Sequence, residues 1–124
     1  IKTGIHMDMQ ITQQNSDCYS INHVLCSAFP KSYSKFHSPT LNRIVLESIY
    51  ESTLIFAAHN YQVTGSRIVY LTLVGGGCFG NDRSEILNAI RRAYYKVKDN
   101  GLDIRIVSLT KSKDIEDLVE SCSK

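Results

Sequence analysis

Three consecutive glycines, with a fourth after two intervening residues, are the strongest chemical signal in the chain. The passage Gly75-Gly76-Gly77-Cys78-Phe79-Gly80-Asn81 follows directly on the apolar run RIVYLTLV. Glycines in such a turn let the main chain approach a ligand closely and take φ > 0 where needed. Where the turn opens a helix, the exposed first-turn amides and the helix dipole favour an anion. Phosphate binding is therefore the chemistry the pattern serves, with backbone shape alone as the competing explanation. No Lys-Ser or Lys-Thr closes the loop, so a nucleoside-triphosphate loop is excluded. Gly75, Gly77 and Gly80 do spell G-x-G-x-x-G, the dinucleotide fingerprint. However, the next strand ends Ser108-Leu109-Thr110, without the acid that would bind ribose hydroxyls, and Asp103 stands at its other end.

Other residues could act on a bound ligand. A helix N-terminus lowers a thiol pKa, which places Cys78 as a conceivable nucleophile. No His or Asn pairs with it by spacing, so its backbone is the part the loop needs. Asp8, within Gly4-Ile5-His6-Met7-Asp8, could orient or deprotonate a water, or be no more than a solvated acid. His6 could act as a general acid near neutral pH. Asp17 and Glu51 are weaker candidates, and Glu51, on an apolar helix, is better explained by pairing with a basic residue. His23, His37 and His59 have no ligand spacing, and Cys18, Cys26, Cys78 and Cys122 form no C-x-x-C pair. No metal site is expected.

The elements that must position these residues alternate between strand and helix. Residues 5–12 form a short strand or an ordered loop, and residues 23–29 a short buried strand ended by Pro30. Ser38-Pro39 is a helix start: the serine caps orphan amides and the proline needs no N–H at the first position. Apolar positions Leu41, Ile44, Val45, Ile49, Leu54, Ile55 and Ala58 then predict a helix over 41–58, ended by His59-Asn60 and a loop at Thr64-Gly65-Ser66. Residues 67–74 predict a central strand covered on both faces, as in a parallel sheet. Ile86, Ala89, Ile90, Ala93, Tyr94 and Val97 predict a second helix, capped by Asn81 or Asp82 and stopped at Asn100-Gly101. A strand over 102–109 and an amphipathic helix over 111–121 complete the chain. The alternation predicts an α/β fold with parallel strands joined by helical crossovers.

Length and composition narrow the function classes. The chain has 124 residues, enough for a single domain over 1–124, and its 43% hydrophobic and 21% charged content excludes a disordered or collagen-like chain. No apolar run approaches the roughly 20 residues that cross a bilayer. A net charge of +2 is too mild to argue for a nucleic-acid partner, and Arg91, Arg92, Lys96 and Lys98 fit a solvated helix face. With no secretory signal and no disulfide framework, a reduced cytoplasmic or nuclear setting is expected.

The passage VYLTLVGGGCFGN resembles the second phosphate-binding loop of macrodomains, where a small-Gly-x-aromatic-Gly turn wraps the diphosphate of ADP-ribose. GIHMD, VLCSAFPKSYS, LESIYESTLIFAAHN, ILNAIRRA and LDIRIVSL extend the resemblance over positions 4 to 110. They are similar to a divergent branch found among effectors of intracellular bacteria and related eukaryotic proteins, whose described activity is ADP-ribosyl hydrolysis. The resemblance implies a three-layer α/β/α fold with a mixed, mostly parallel sheet. It also implies that the loop from Gly75 binds ADP-ribose, the amides of Gly76, Gly77, Cys78 and Gly80 holding the diphosphate. Phe79 would pack against a ribose or anchor the loop in the core, and Asn81 would cap the helix or reach the distal sugar. In that branch acids in the region of Asp8 position water or the ribose hydroxyls, so Asp8 would orient the water that attacks ribose C1″, or His6 would instead serve as a general acid. Macrodomains carry, earlier in the chain, an adenine-reading acid and an Asn-rich loop; neither is present, so a domain lacking its opening elements is expected, with Ile1 marking a cut. The partner so implied is ADP-ribose or an ADP-ribosylated protein, with no cofactor and no membrane partner. A reader module that binds without turnover, or a dinucleotide-binding oxidoreductase fragment, are the alternatives.

Overall fold

A computed structural model describes residues 2–11, 19–35 and 38–123. In chain order they form β1 (Gly4–Ile11), β2 (Tyr19–Leu25), α1 (Pro39–Thr64), β3 (Ile68–Thr72), α2 (Arg83–Val97), a 3-10 turn at Lys98–Asn100, β4 (Asp103–Val107) and α3 (Lys113–Cys122). The architecture is mixed α/β with two separate two-stranded sheets: β1 and β2 are antiparallel, β3 and β4 parallel. The parallel pair joined through α2 matches the expected crossover.

Both ends of α1 have a local cause. The Ser38 hydroxyl accepts the Leu41 N–H at 3.3 Å, and Pro39 opens the helix. At the other end Gly65 adopts φ 78° and donates its N–H to the Tyr61 carbonyl at 2.9 Å. The helix therefore runs past His59-Asn60 and ends at the Thr64-Gly65-Ser66 cluster, the second part of the expected stop. Asn and His cost a helix only tenths of a kcal/mol relative to neighbours of average propensity. Termination waits for a residue that takes the left-handed conformation at little cost, which is Gly65.

α1 buries Leu46, Ile49, Tyr50 and Leu54, and α2 buries Ile86, Leu87, Ala89, Ile90, Ala93 and Val97. With Ala28, Leu71 and Leu118 they form one core. Across the helix pair Glu51 accepts from Arg92 and from Lys96, each at 2.6 Å, so this acid is an ion-pair partner, as expected from its setting. Burial would raise the Glu51 pKa, but the hydrogen bonds from Lys96 and Arg92 outweigh it and hold the carboxyl below its ordinary value. A depressed folded pKa means stability that is complete above the unfolded value, near 4.5, and lost as pH falls through the folded one. Glu51→Gln is expected to lower stability at neutral pH by up to about 1 kcal/mol. Urea titrations of both proteins should show the gap closing on acidification; a gap independent of pH would remove the ion pair from this account.

Two expectations about strands are corrected. Residues 67–74 are not covered on both faces: Leu71 is 3% exposed, whereas Ile68 and Tyr70 are 47% and 63% exposed. Alternation along a strand sends Val69 and Leu71 to the core and Ile68 and Tyr70 to the other side, where Arg105 stacks over the Tyr70 ring at 5.8 Å. The strand expected at 23–29 is displaced, because β2 covers Tyr19–Leu25 and pairs with β1. Residues 26–29 leave the sheet and bring Ala28 into the core. Arg83 pairs with Asp114, and the Tyr94 hydroxyl donates to the Cys122 carbonyl at 2.5 Å, which together dock α3 on α2. That guanidinium holds the Asp114 carboxyl below its ordinary pKa.

Candidate functional site

The glycine loop leaves the C-terminal end of β3 and enters α2. Its entry is pinned by Tyr50, whose hydroxyl donates to the Thr72 carbonyl and accepts the Val74 N–H, both at 2.9 Å. The ring is 1% exposed, and burial, opposed by the Val74 contact, pushes the phenol up to about 12. Tyr50→Phe is expected to cost about 1–2 kcal/mol by leaving the strand end short of a partner. Thermal unfolding checks this, and an unchanged midpoint would contradict the pinning role.

Asn81 closes the loop from the other side. It is 5% exposed, its N–H donates to the Gly75 carbonyl at 3.1 Å, and its side-chain NH2 donates to the carbonyls of Phe29 at 2.9 Å and Gly75 at 3.1 Å. Asn81 is thus neither the cap of α2 nor free to reach a sugar. Asp82 occupies the cap position without a side-chain cap bond and pairs with Lys31. A cap was the natural expectation for an Asn just before a helix; what hid its real role is that both carbonyl partners lie outside that helix.

The four glycines differ in what they do. Gly75 has φ 83°, and a Cβ there would overlap the Ala28 methyl and lie 2.6 Å from the Asn81 amide nitrogen. Gly80 has φ 67°, and a Cβ would overlap the Ser32 hydroxyl. Ser32 in turn donates its N–H to the Phe79 carbonyl at 2.9 Å. Backbone conformation and close packing require these two positions to be glycine. Gly77 is the opposite case: a Cβ there would meet nothing within 4 Å.

The loop's amides divide in the same way. Gly76 donates to the Leu73 carbonyl at 3.2 Å and Gly80 to the Gly77 carbonyl at 3.0 Å, so these two are engaged inside the loop rather than free for a diphosphate. Gly77, Cys78 and Phe79 donate to no protein group among the described residues. Three consecutive open amides thus sit beside the N-terminus of α2, in a loop with no acidic side chain between residues 73 and 81. Such an arrangement can accept an anionic oxygen without a lysine or arginine. The Phe79 ring packs against the core, which makes it an anchor of the loop. Cys78 is exposed and makes no hydrogen bond among the described residues, in keeping with a position that matters for its backbone.

Asp8 and His6 are not brought to this loop. Both lie on β1, which pairs with β2 alone, and Asp8 sits at the register break between His6 and Met9 with φ 53°. Its N–H donates to the Asn22 side-chain oxygen, and Asn22 donates to Asn60 near the end of α1, both at 2.9 Å. Tyr50, which meets the glycine loop, precedes Asn60 by ten residues of helix, about 15 Å of rise. The pairing of β1 with β2, outside the parallel sheet, is the physical reason for the separation. Asp17 lies outside the described residues. Among the described residues no group of three or more His, Cys, Asp or Glu is placed to hold a metal ion, and no helix is long and apolar enough to cross a membrane.

Compared with known proteins, the chain matches no family model, no curated protein and no solved structure.

Proposed function

We propose that this chain is an ADP-ribose-binding module of the macrodomain kind and that it acts as a reader of ADP-ribose or of ADP-ribosylated protein. The observation behind the proposal is the row of open amides at Gly77, Cys78 and Phe79, at the mouth of a parallel strand and the start of a helix. A ligand held by backbone amides needs no basic patch, in keeping with the net charge of +2. Binding is proposed without turnover, because Asp8 and His6, the residues that would position and protonate, lie on the separate β1–β2 hairpin.

A three-layer arrangement belongs to the same proposal. Parallel strands are ordinarily buried on both faces. Here Ile68, Tyr70 and Val107 leave one face of β3–β4 exposed, the face a further layer would cover.

Calorimetric titration with ADP-ribose beside NAD, ATP and AMP tests the reading. Saturable binding of ADP-ribose, tighter than the other three, is the expected result. NAD bound with ADP-ribose ignored would favour a dinucleotide-binding fragment instead, and release of ADP-ribose from a modified protein would restore the hydrolase.

A further inference from the structure

His6 and His23 lie far apart in sequence. His6 and Met9 are separated by Met7 and Asp8, a spacing that puts them on opposite faces of a regular strand. The β1–β2 hairpin undoes both separations. His6 pairs directly with His23 and Met9 with Ile21, because the register shifts at a bulge between His6 and Met9. Ile21 and His23 alternate with Asn22 on β2 and so share a face, and their partners Met9 and His6 stand on that face with them. Re-aiming a side chain is what a bulge does to the strand that carries it.

This face is directed away from the helices. Asn22 turns to the other side and donates to Asn60 of α1 at 2.9 Å, whereas His6 and His23 are exposed and Met9 is 36% exposed. Neither imidazole makes a hydrogen bond or an ion pair among the described residues. Residues directly opposite in an antiparallel pair hold their Cβ atoms roughly 4.5–5.5 Å apart, which lets two imidazoles converge on one ion. The diagonal from His23 leads to Met9, and a diagonal of about 7–8 Å is within reach of a long side chain.

The donor set selects the ion. Among the described residues no carboxylate or thiolate joins the two histidines as a third ligand, which leaves the thioether. Imidazole suits zinc, nickel and copper alike, but a thioether favours Cu(I). We propose that His6, His23 and Met9 form a binding site for a Cu(I) ion, each histidine giving a ring nitrogen and Met9 its Sδ. Ile21 and Leu25 flank the histidines on the same face, and such an apolar border limits the access of water to a soft ion. The site lies on the separate hairpin and does not rest on ADP-ribose being the ligand of the glycine loop.

The test is an anaerobic NMR titration of the whole chain with Cu(I), its free concentration fixed by bicinchoninate. Occupancy is then read from the site's own signals, whatever the cysteines take up. The His6 and His23 ring signals and the Met9 methyl should shift together and saturate at one affinity. Met9→Leu keeps the volume and removes the sulfur. It should weaken Cu(I) at least about ten-fold, the smallest usual cost of disturbing a metal site, and leave Zn(II) binding at the two imidazoles unchanged. In the unaltered protein, no response of these signals, or imidazole shifts with the Met9 methyl unmoved, would overturn the proposal. So would a Met9→Leu protein that keeps its Cu(I) affinity or loses both ions equally.

Discussion

Gly77→Val is expected to leave the protein folded and to weaken ADP-ribose binding about a hundred-fold or more, the loss of at least two good hydrogen bonds to a charged group. Stability should change little, for two reasons. Gly77 is not among the glycines with positive φ, and a Cβ there meets no atom within 4 Å. Removing a glycine from a compatible loop position even restricts the unfolded chain slightly. Binding should fail because the new isopropyl group would stand in the open space beside the amides of Gly77, Cys78 and Phe79. Denaturation and calorimetry on the same sample separate the two effects. A folded variant with unchanged ADP-ribose affinity would move the site away from this loop.

Asn81→Asp should produce the largest loss of stability, about 3 kcal/mol or more. The change is nearly isosteric, so packing is preserved while the chemistry inverts. Where Asn81 donates to the carbonyls of Phe29 and Gly75, a carboxylate would present a third oxygen to two others in a position 5% exposed. Such a carboxyl has a folded pKa above its unfolded value. The folded state then binds more protons, and the variant should recover stability as pH falls toward that pKa. Urea unfolding at several pH values checks both the size and the sign. A variant as stable as the parent, or one that weakens further on acidification, would contradict the role assigned to Asn81 as the clasp of the loop.

Features read from local chemistry were legible in advance. Ser38-Pro39 marks the start of α1, Asn100-Gly101 the stop after α2, and the β3–α2–β4 crossover follows from alternating apolar patterns. That Glu51 pairs with a basic residue was likewise readable, because an acid on an apolar helix needs such a neighbour; that its partners are Arg92 and Lys96, two residues expected on a solvated face, was not. Features set by distant partners were not. The continuous apolar run at residues 67–74 does not tell a strand covered twice from one covered once, and Ile68 and Tyr70 proved to lie on the exposed side. Within the loop, composition marks four glycines alike. The neighbours Ala28 and Ser32, some fifty residues away in sequence, together with Asn81, separate the packed Gly75 and Gly80 from the open Gly77. The same holds for Asp8, whose type suits catalysis but whose place is decided by β1 pairing with β2.

The central claim is that the amides of Gly77, Cys78 and Phe79 receive the ligand's phosphates. It is tested most directly by following the backbone amide signals of the chain during titration with ADP-ribose. Saturable downfield shifts are expected, concentrated at those three residues and the first turn of α2, with Gly76 and Gly80, already bonded within the loop, moving much less. Saturation elsewhere on the molecule, or no response of residues 77–79 while ADP-ribose binds, would contradict it.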